Sequence, residues 1–517
     1  MTSDSIRNTG RKMLVVSAGI FLSKSLGLVR DISFAHVWGT DTALAAFILA
    51  FTIPNLFRSM LGEGGMNAAF VPLFTEKLKQ EGTSAAWTAA CRILSVVTMV
   101  LCGAVIVLIL LTLGIREIFS SEIADETFRL LPWLLPYAIL VCLAAGLGSV
   151  LNSVNRFAIP AFSQTLINVC LITATVIAGI AVKDQTSAPI FPLTIAVIAA
   201  GVLQLIIHLI ACGRIGWIFR FAPAVKSPEV KRFAMLITPV LIGAGVMQIN
   251  VLVDRFLAGY LGSTATTTLY YSQRLVYLPV GLFGVSMGIV SVPAMSRAFQ
   301  SGDRNSVLQK LHFSFLQVLF LTIPVMAMLY VLRSPIIRLL FERGAFTVAA
   351  TGETASVLLF YAVGIPAFVC VKIARTPYHA LQNTKTPVKI AAVCVLLNLI
   401  LNIILMQTME QRGLALSTSI CSWINLLFLL FLVRPYFDGQ LQFKNILFPI
   451  FKMFTAGVIG GVIALWISNS INAETGLAIA DKIIDVIVPG IGGGIVYLAV
   501  TIMLGCGSLK KIAARVQ

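Results

Sequence analysis

Apolar stretches of about 20 residues recur along the whole chain, and they constrain its fold more than any other feature. A stretch of that length crosses a hydrocarbon core of about 30 Å as a helix. Because the bilayer core offers no water to backbone polar groups, a spanning segment must close its hydrogen bonds internally. Only 11% of the residues are charged, against about 25% in soluble domains. The sequence therefore predicts an all-α polytopic membrane protein.

We count about fourteen such segments. They cover residues 13–37, 42–61, 93–115, 130–151, 158–182, 189–212, 233–260, 265–293, 311–332, 350–374, 386–407, 413–433, 446–468 and 483–505. The longest polar connections, at about 62–92 and 213–232, are partly amphipathic and too short for a soluble domain. Function is therefore expected inside the membrane. The first segment is predicted to be a retained helix, because no small-residue cleavage site follows it.

The distribution of basic residues predicts the orientation of the chain, since cytoplasmic loops accumulate Lys and Arg. With both termini in the cytoplasm, about 26 of the 38 Lys and Arg lie in or beside cytoplasmic segments. The predicted outer loops are acidic, with Glu117, Glu122, Asp125 and Glu126 in one of them. This asymmetry accounts for most of the +17 net charge, so a nucleic-acid partner is not expected.

Internal repeats indicate two lobes. LVRDISFAHVWG at residues 28–39 aligns with LVDRFLAGYLG at 252–262, and Pro54 aligns with Pro279 at nearly the same offset. A repeat in the same orientation predicts two six-helix lobes related by an axis along the membrane normal, with the substrate path between them. The predicted domains are an N-terminal lobe at 1–222, a C-terminal lobe at 223–440 and two additional spans at 441–517.

Charged residues interrupt the first span in the stretch SKSLGLVRD. A cation near the middle of a bilayer, where Lys24 is expected, costs about 2.5 to 3.5 kcal/mol or more, and such residues usually face a water-filled cavity. Arg30 lies nearer the outer helix end, where the alternative is that it snorkels to the interface. The two residues are about 240° apart on a regular helix, so they share one cavity only if the helix bends, for example at Gly27.

Two further cations lie in other spans, Arg58 after Pro54 in the second span and Arg274 in the eighth. A lumen lined by Lys24, Arg30, Arg58 and Arg274, with Asp31 as its acid, would carry about +3. Such a lumen selects anions, and guanidinium groups bind phosphate oxygens in pairs. A polar path between apolar lobes suits a lipid with a large anionic head group.

A second polar group could hold a coupling cation. Asp254 in the seventh span, Asn398 and Asn402 in the eleventh and Thr418 in the twelfth could supply oxygen ligands for Na⁺. The alternative is that these residues form interhelical hydrogen bonds, with Asp254 paired to Arg255. The membrane potential could drive transport without a bound ion, at about 2.3 kcal/mol per charge and 100 mV.

The sequence lacks the motifs that several other chemistries require. The four histidines show no HExxH spacing and the nine cysteines no CxxC pair, so no metal site is expected. No Walker A motif occurs, and no acidic loop could hold Mg²⁺ and a diphosphate. An enzyme acting on polyprenyl phosphates is therefore disfavoured. Glycine clusters such as Gly490, Gly492, Gly493 and Gly494 are interpreted as helix-packing or kink sites.

The charged segments and their neighbours carry a resemblance to a known family. They resemble the signature blocks of the MurJ (MviN) lipid II flippases of the MOP exporter superfamily. The matching blocks are SKSLGLVRD, IPNLFRSMLGEGGMNAAFVPLF, LNSVNRFAIPAF, YYSQRLVYLPVGLFGVSMGIVSVP, FERGAFT and KTPVKIA. They run from the first span through the twelfth.

The resemblance implies a bacterial inner-membrane protein that flips lipid II, the undecaprenyl diphosphate-linked peptidoglycan precursor, to the outer leaflet. It implies alternating access of two lobes around a cationic cavity, a groove for the lipid tail at the last two spans, no enzymatic activity and function as a monomer among membrane lipids. By motif position it assigns the diphosphate and cavity to Lys24, Arg30, Asp31, Arg58 and Arg274, and the cytoplasmic gate to Glu63.

Three positions depart from the family pattern. Lys24 stands where Arg is usual, Gln273 where Asp is common, and Ala45 near a position that is often acidic, with Asp41 about a turn away. Two alternatives stay open within the superfamily. One is export of another lipid-linked oligosaccharide. The other is a multidrug antiporter for organic cations, which would need a cavity of the opposite charge.

Overall fold

The computed structural model describes residues 3–62, 65–116, 121–181, 188–301, 303–381, 383, 385–437, 444–471 and 479–505. Regular structure within these ranges is helical, without a strand, as the sequence predicted. The helices pack into two compact units, unit 1 (Met1–Thr267) and unit 2 (Thr268–Gln517).

Unit 1 is built from long helices joined by short turns. Its helices are α1 Ser3–Trp38, α2 Thr42–Phe57, α3 Gly65–Gln80, α4 Gly82–Ile115, α5 Glu122–Leu134, α6 Pro136–Ser153, α7 Ala158–Ser163, α8 Thr165–Ala181, α9 Phe191–Gly213 and α10 Pro228–Leu261. A π-helical turn, Arg58–Gly62, follows α2. The next helix, α11 Ser263–Gln300, begins in unit 1 and continues in unit 2.

Unit 2 holds the rest of α11 and nine further helices of the described residues. These are α12 Arg304–Val331, α13 Arg333–Leu340, α14 Val348–Ala362, α15 Ile365–Ala374, α16 Thr376–Ala380, α17 Lys385–Met409, α18 Gln411–Val433, α19 Lys444–Ile471 and α20 Ile479–Met503. A short 3₁₀ turn, Arg434–Phe437, follows α18.

The apolar segments predicted from the sequence fall on these helices wherever the structure describes them. Twelve helical segments of the described residues are long and apolar enough to cross a membrane. Two further predicted spans coincide with α1 and α11. The count of fourteen crossings stays a prediction. The connection at about 62–92, predicted to be partly amphipathic, includes α3 and the start of α4.

A proline reshapes the second span. Pro54 lies inside α2 and has no backbone N–H to donate to the preceding turn. Four residues later the helix widens into the π-helical turn at Arg58–Gly62. Such turns are uncommon and concentrate at functional sites. The local sequence therefore places Arg58 on a departure from regular helix geometry.

Helix α10 packs within unit 1, against α2, α3 and α4. It starts with a Ser-Pro pair: the Ser227 hydroxyl caps the first turn by accepting from the Val230 N–H at 3.5 Å, and Pro228 occupies the first helical position. The internal repeat assigned this helix to the C-terminal lobe. The lobe boundaries at 222 and 440 stay a prediction. In the structure, α10 packs with the preceding helices of unit 1.

Glycines allow α19 and α20 to approach closely, as interpreted from the sequence. A Cβ on Gly493 would lie 2.6 Å from the Gly460 carbonyl oxygen and 2.9 Å from the Ala464 Cβ. Real Cβ atoms do not come that near to backbone atoms, so only glycine fits. Small residues at such crossings let transmembrane helices pack backbone to backbone. Gly494, its neighbour, has no atom within 4 Å of its Cβ position among the described residues.

This difference predicts opposite effects of one substitution at two adjacent positions. Gly493→Ala should lower the unfolding temperature and the membrane abundance, because the added methyl group pushes α19 and α20 apart. Gly494→Ala should leave both unchanged or raise them slightly, since Ala favours helix over Gly by up to about 1 kcal/mol. Thermal unfolding of the purified variants in detergent and their abundance in membranes provide the measurements. Equal effects at the two positions would contradict the packing role.

Candidate functional site

Arg30 is a buried cation of unit 1 with several bonded partners. Its side chain projects from α1 and is 9% exposed, whereas Asp31 is fully buried. The guanidinium donates to Asp31 Oδ1 twice, from Nε at 3.0 Å and from Nη2 at 2.7 Å. It also lies 5.6 Å from the ring centre of Phe34, one turn along the helix. The pair is neutral overall, so the buried charge is compensated where it lies.

Asn168 on α8 completes this arrangement. Its Oδ1 accepts from Arg30 Nη1 at 2.9 Å, and its Nδ2 donates to the Ser23 carbonyl oxygen at 2.9 Å. One amide therefore joins the guanidinium to the α1 backbone one turn before Gly27. Sequence reasoning missed this residue, although an Asn within the apolar run LINVCLI was a visible signal.

Gly27 is buried beside Asn168, and the bend of α1 at this residue stays a prediction. A Cβ at this position would lie 3.8 Å from Asn168 Oδ1 and 3.9 Å from Nδ2, an ordinary contact distance. An alanine would therefore also fit beside Asn168, and α1 is assigned as one helix from Ser3 to Trp38. Lys24 is exposed on this helix, whereas Arg30 is buried. Their presence in one lumen stays a prediction.

Arg58 lies in a different environment. Its Nε donates to Asn55 Oδ1 at 2.8 Å, three residues earlier in α2. The side chain lines a cavity of about 270 Å³ inside unit 1, which we call the unit 1 cavity. Its polar lining residues are Asn67, Tyr137, Asn152, Ser163, Gln164, Gln204 and His208. The signature block LNSVNRFAIPAF contributes part of the wall, through Asn152, Phe157, Pro160 and Ala161.

Arg274 belongs to α11 in unit 2. Its Nη2 donates to the Tyr270 hydroxyl at 3.3 Å, and its guanidinium lies 5.4 Å from the Tyr270 ring centre. The preceding Gln273, where Asp is common in the family, donates from Nε2 to the Tyr361 hydroxyl at 2.9 Å. Gln273 is neutral, so it makes this hydrogen bond without needing a cation beside it, as an Asp would.

The block FERGAFT holds α11 in place. Phe341 and Phe346 pack against the ring of Tyr271, with ring centres 4.9 and 5.4 Å away. Gly344 takes a positive φ of 58° between them, which favours glycine. Thr347 then caps α14 by accepting from the Ala350 N–H at 3.2 Å. Phe341 and Phe346 therefore pack against the helix that carries Arg274.

The residues predicted as a cation site divide between the two units. In unit 2, Asn398 Nδ2 donates to Ser417 Oγ at 2.8 Å, Asn402 Nδ2 donates to Asn398 Oδ1 at 3.1 Å, and Ser417 Oγ donates to Asn402 Oδ1. This closed ring joins α17 to α18. The Thr418 hydroxyl donates to the Leu414 carbonyl at 3.0 Å, within its own helix.

Asp254, the fourth residue of that prediction, lies on α10 in unit 1. Its Oδ2 accepts from Asn250 Nδ2 at 3.3 Å, one turn earlier on the same helix. The predicted gate residue Glu63 lies outside the described residues.

Sequence reasoning also missed a set of ion pairs that join α3 and α4 to the start of α10. Lys77 Nζ lies 2.9 Å from Glu229 Oε1, and Arg92 Nη1 lies 3.6 Å from the same oxygen. Arg232 binds Glu76 with two hydrogen bonds of 2.9 and 2.7 Å. The sequence showed these as scattered loop charges, since the partners are about 150 residues apart along the chain.

Solved structures define the class of protein. The structure of "Lipid II flippase MurJ, inward closed conformation" matches with a TM-score of 0.76 at 28% identity, covering 95% of this chain and 98% of that one. An inward-facing multidrug resistance MATE transporter of the MOP superfamily matches with a TM-score of 0.67 at 11% identity, over 83% of this chain and 98% of that one. The second likeness shows the fold alone. The chain is a multi-span protein that shares its fold with these two proteins.

Sequence comparisons narrow the class to one family. The model of lipid II flippase MurJ matches residues 34–481. The probable lipid II flippase MurJ of Rhizobium tropici is 33% identical over 463 residues, covering 88% of this chain and 86% of the relative. That of Vibrio cholerae serotype O1 is 30% identical over 518 residues, covering 98% and 97%. The chain belongs to the lipid II flippase MurJ family, as the resemblance predicted.

The buried ion pair predicts a specific pattern of stability. Asp31→Asn should destabilise the protein by about 3 to 5 kcal/mol, because it leaves the Arg30 guanidinium buried without a counter-charge. Combining it with Arg30→Gln should recover most of the loss, since two neutral amides can bond to each other and to Asn168. Unfolding midpoints of the purified proteins measure these effects. An Asp31→Asn protein as stable as the unchanged one would contradict the pairing.

Proposed function

We infer that the chain moves lipid II from the cytoplasmic to the outer leaflet of the bacterial inner membrane, for peptidoglycan synthesis. Membership of the MurJ family supports this function. The structural observation that carries it is the preorganised Arg30, held by Asp31 and Asn168 on two helices of unit 1. A cation kept in one orientation within apolar helices is suited to meet an anionic group there.

The chemistry of the substrate agrees with the charges. A diphosphate linkage between lipid and sugar presents anionic oxygens, which guanidinium groups bind in pairs. Arg30, Arg58 and Arg274 supply three such groups, and Lys24 adds a compact charge. We propose that these four cations act on the diphosphate in turn as the lobes alternate. An exporter of organic cations would need acidic groups at these positions instead.

The charges of these four cations also bear on the energy source for transport. We propose that the membrane potential drives transport by acting on them, at about 2.3 kcal/mol per charge and 100 mV. The closed ring of Asn398, Asn402 and Ser417 supports an interhelical role for these side chains, because their amide and hydroxyl groups already satisfy one another. An obligatory Na⁺ site is therefore not part of the proposal.

Substitution of the cations tests the function. Arg30→Ala or Arg274→Ala should abolish lipid II flipping while membrane abundance stays measurable, because a charged partner is lost in a site of low dielectric. Lys24→Ala should also fail, but Lys24→Arg should support growth, since Arg is the family's usual residue there. Complementation of a depletion strain, with lipid II in each leaflet quantified, provides the measurement.

Arg129→Ala is the matched control for that experiment. Its side chain is 59% exposed and pairs with Glu126 on its own helix, so its loss should leave flipping unchanged. Full growth with Lys24→Ala and Arg30→Ala at normal abundance would refute the role of the cations. That outcome would support the alternative that both residues snorkel to an interface.

The orientation can be tested independently. We propose that both termini are cytoplasmic, which is supported by the excess of Lys and Arg on that side and by the acidic start of α5. Glu122→Cys should then react with an impermeant thiol reagent in intact cells, whereas Lys226→Cys should react only after lysis. Both positions are exposed, so access to the thiol is comparable. The reverse labelling pattern would overturn the topology and the lobe arrangement based on it.

A further inference from the structure

The connection between α9 and α10 exposes large apolar side chains outside the membrane-spanning helices. We call residues 214–227 the α9–α10 connection. Within it, Ile218 is 68% exposed, Phe221 62% and Val225 54%. Single exposed apolar residues are ordinary on protein surfaces, whereas a group of them in one short irregular segment indicates a surface that contacts a partner.

The backbone of this connection is fixed where it leaves α9. The Trp217 N–H donates to the Cys212 carbonyl oxygen at 3.1 Å, and Gly216 takes a positive φ of 81° at the turn between them. The buried Trp217 ring then stacks on Trp87 of α4, with ring centres 5.5 Å apart. The exposed side chains that follow Trp217 are therefore presented by an ordered segment.

Hydrogen bonds to α4 set the level of the connection along that helix. Ser95 Oγ accepts from the Ala222 N–H at 2.9 Å, and Cys91 Sγ accepts from the Arg220 N–H at 3.4 Å. Cys91 and Ser95 flank the start of the apolar segment of α4, residues 93–115, and the apolar segment of α9 ends just before the connection. Both helices therefore indicate that the connection lies at the boundary of the hydrocarbon core, where apolar side chains can enter the lipid.

The charge of the connection favours an anionic partner. It carries Arg214, Arg220 and Lys226, all exposed, and no acidic residue. Among the described residues, none of these three side chains forms an ion pair. The next acid along the chain, Glu229, is already paired with Lys77 at 2.9 Å. Cations interleaved with apolar side chains are typical of segments that lie on anionic membranes.

We propose that the α9–α10 connection binds the head groups of anionic phospholipids, with Ile218 and Phe221 inserted among the acyl chains. Arg220 and Lys226 bind the phosphate oxygens. An acidic protein would satisfy the cations but would leave the apolar side chains unexplained at the level of the hydrocarbon boundary. Because Ser227 caps α10 directly after the connection, bound lipid fixes the start of α10 at the membrane surface.

Photo-crosslinking of the full-length protein tests this contact. With p-benzoylphenylalanine in place of Phe221, irradiation should capture phospholipid in nanodiscs of equal parts phosphatidylglycerol and phosphatidylcholine. We expect captured phosphatidylglycerol to exceed phosphatidylcholine about fivefold, the effect of one cation near an anionic head group. Mass spectrometry identifies the adducts. No lipid II is present, so the result is independent of the flipping function.

Two positions on α4 serve as controls for the photoreactive group. Leu110, 63% exposed within the apolar segment, should capture both lipids in proportion to their amounts, because only acyl chains lie beside it. Thr83 is exposed and lies eight residues before Cys91, about 12 Å further from the boundary along the helix. It should capture no lipid.

A matched pair of double variants tests the cations. Arg220→Gln combined with Lys226→Gln should bring the two captured lipids close to equal amounts, because the groups that bind the head group are lost. Lys385→Gln combined with Lys389→Gln removes the same charge from two exposed positions on α17 in unit 2. This control should leave the lipid preference at Phe221 unchanged.

Thermal unfolding provides a second measurement without the photoreactive group. Phosphatidylglycerol added in detergent should raise the unfolding temperature of the unchanged protein, since a ligand stabilises the fold in proportion to its occupancy. The increase should be smaller for the Arg220→Gln and Lys226→Gln double variant and unchanged for the control on α17.

Several results would overturn the proposal. The first is capture of lipid at Leu110 but not at Phe221. The second is capture at Phe221 in the proportions of the disc. The third is an equal loss of preference, or an equal loss of stabilisation by phosphatidylglycerol, in the two double variants. Capture of a protein instead of phospholipid at Phe221, on irradiation of intact cells, would also overturn it and would identify a protein as the occupant.

Discussion

The bonding of one buried guanidinium, that of Arg30, joins α1 to α8 in unit 1. A charge among apolar helices is tolerated only when it is paired and its N–H groups are bonded. Arg30 meets this requirement through Asp31 on its own helix and Asn168 on α8. Because Asn168 also binds the Ser23 carbonyl, α1 and α8 are held together at the level of the charge. The packing of this region therefore depends on the group that is proposed to meet the substrate.

The other three cations lie in different surroundings, which suit distinct tasks. Arg58 stands on a π-helical turn after Pro54 and lines a polar cavity. Arg274 lies over an aromatic ring on a helix anchored by Phe341 and Phe346. Lys24 is exposed on α1. Arg30 is thus neutralised within the protein fold by Asp31. Arg58 donates to the Asn55 amide, and Arg274 donates to the Tyr270 hydroxyl.

Polar residues in the spans therefore serve two purposes that look alike in the sequence. Asn398 and Asn402 carry oxygen atoms suited to a cation, yet in the fold they bond to each other and to Ser417. Asn168 looks like a similar helix-packing residue, yet it positions Arg30. The residue type and its burial are the same in both cases. The difference lies in the neighbour on the adjacent helix, which a single sequence does not reveal.

The sequence by itself determined the helical class, the positions of the spans, the family and the identity of the cations. These depend on local patterns: the length of apolar runs, the placement of charges within them and short motifs such as FERGAFT. Tertiary structure decided which groups meet. The Arg30–Asn168 bond joins residues 138 apart and the Lys77–Glu229 pair residues 152 apart. The cavity gathers Arg58, Tyr137 and His208 from separate segments. Such contacts follow from how helices pack and rotate against one another, and the hydrophobic pattern of one helix leaves several of its faces equally able to pack in a membrane.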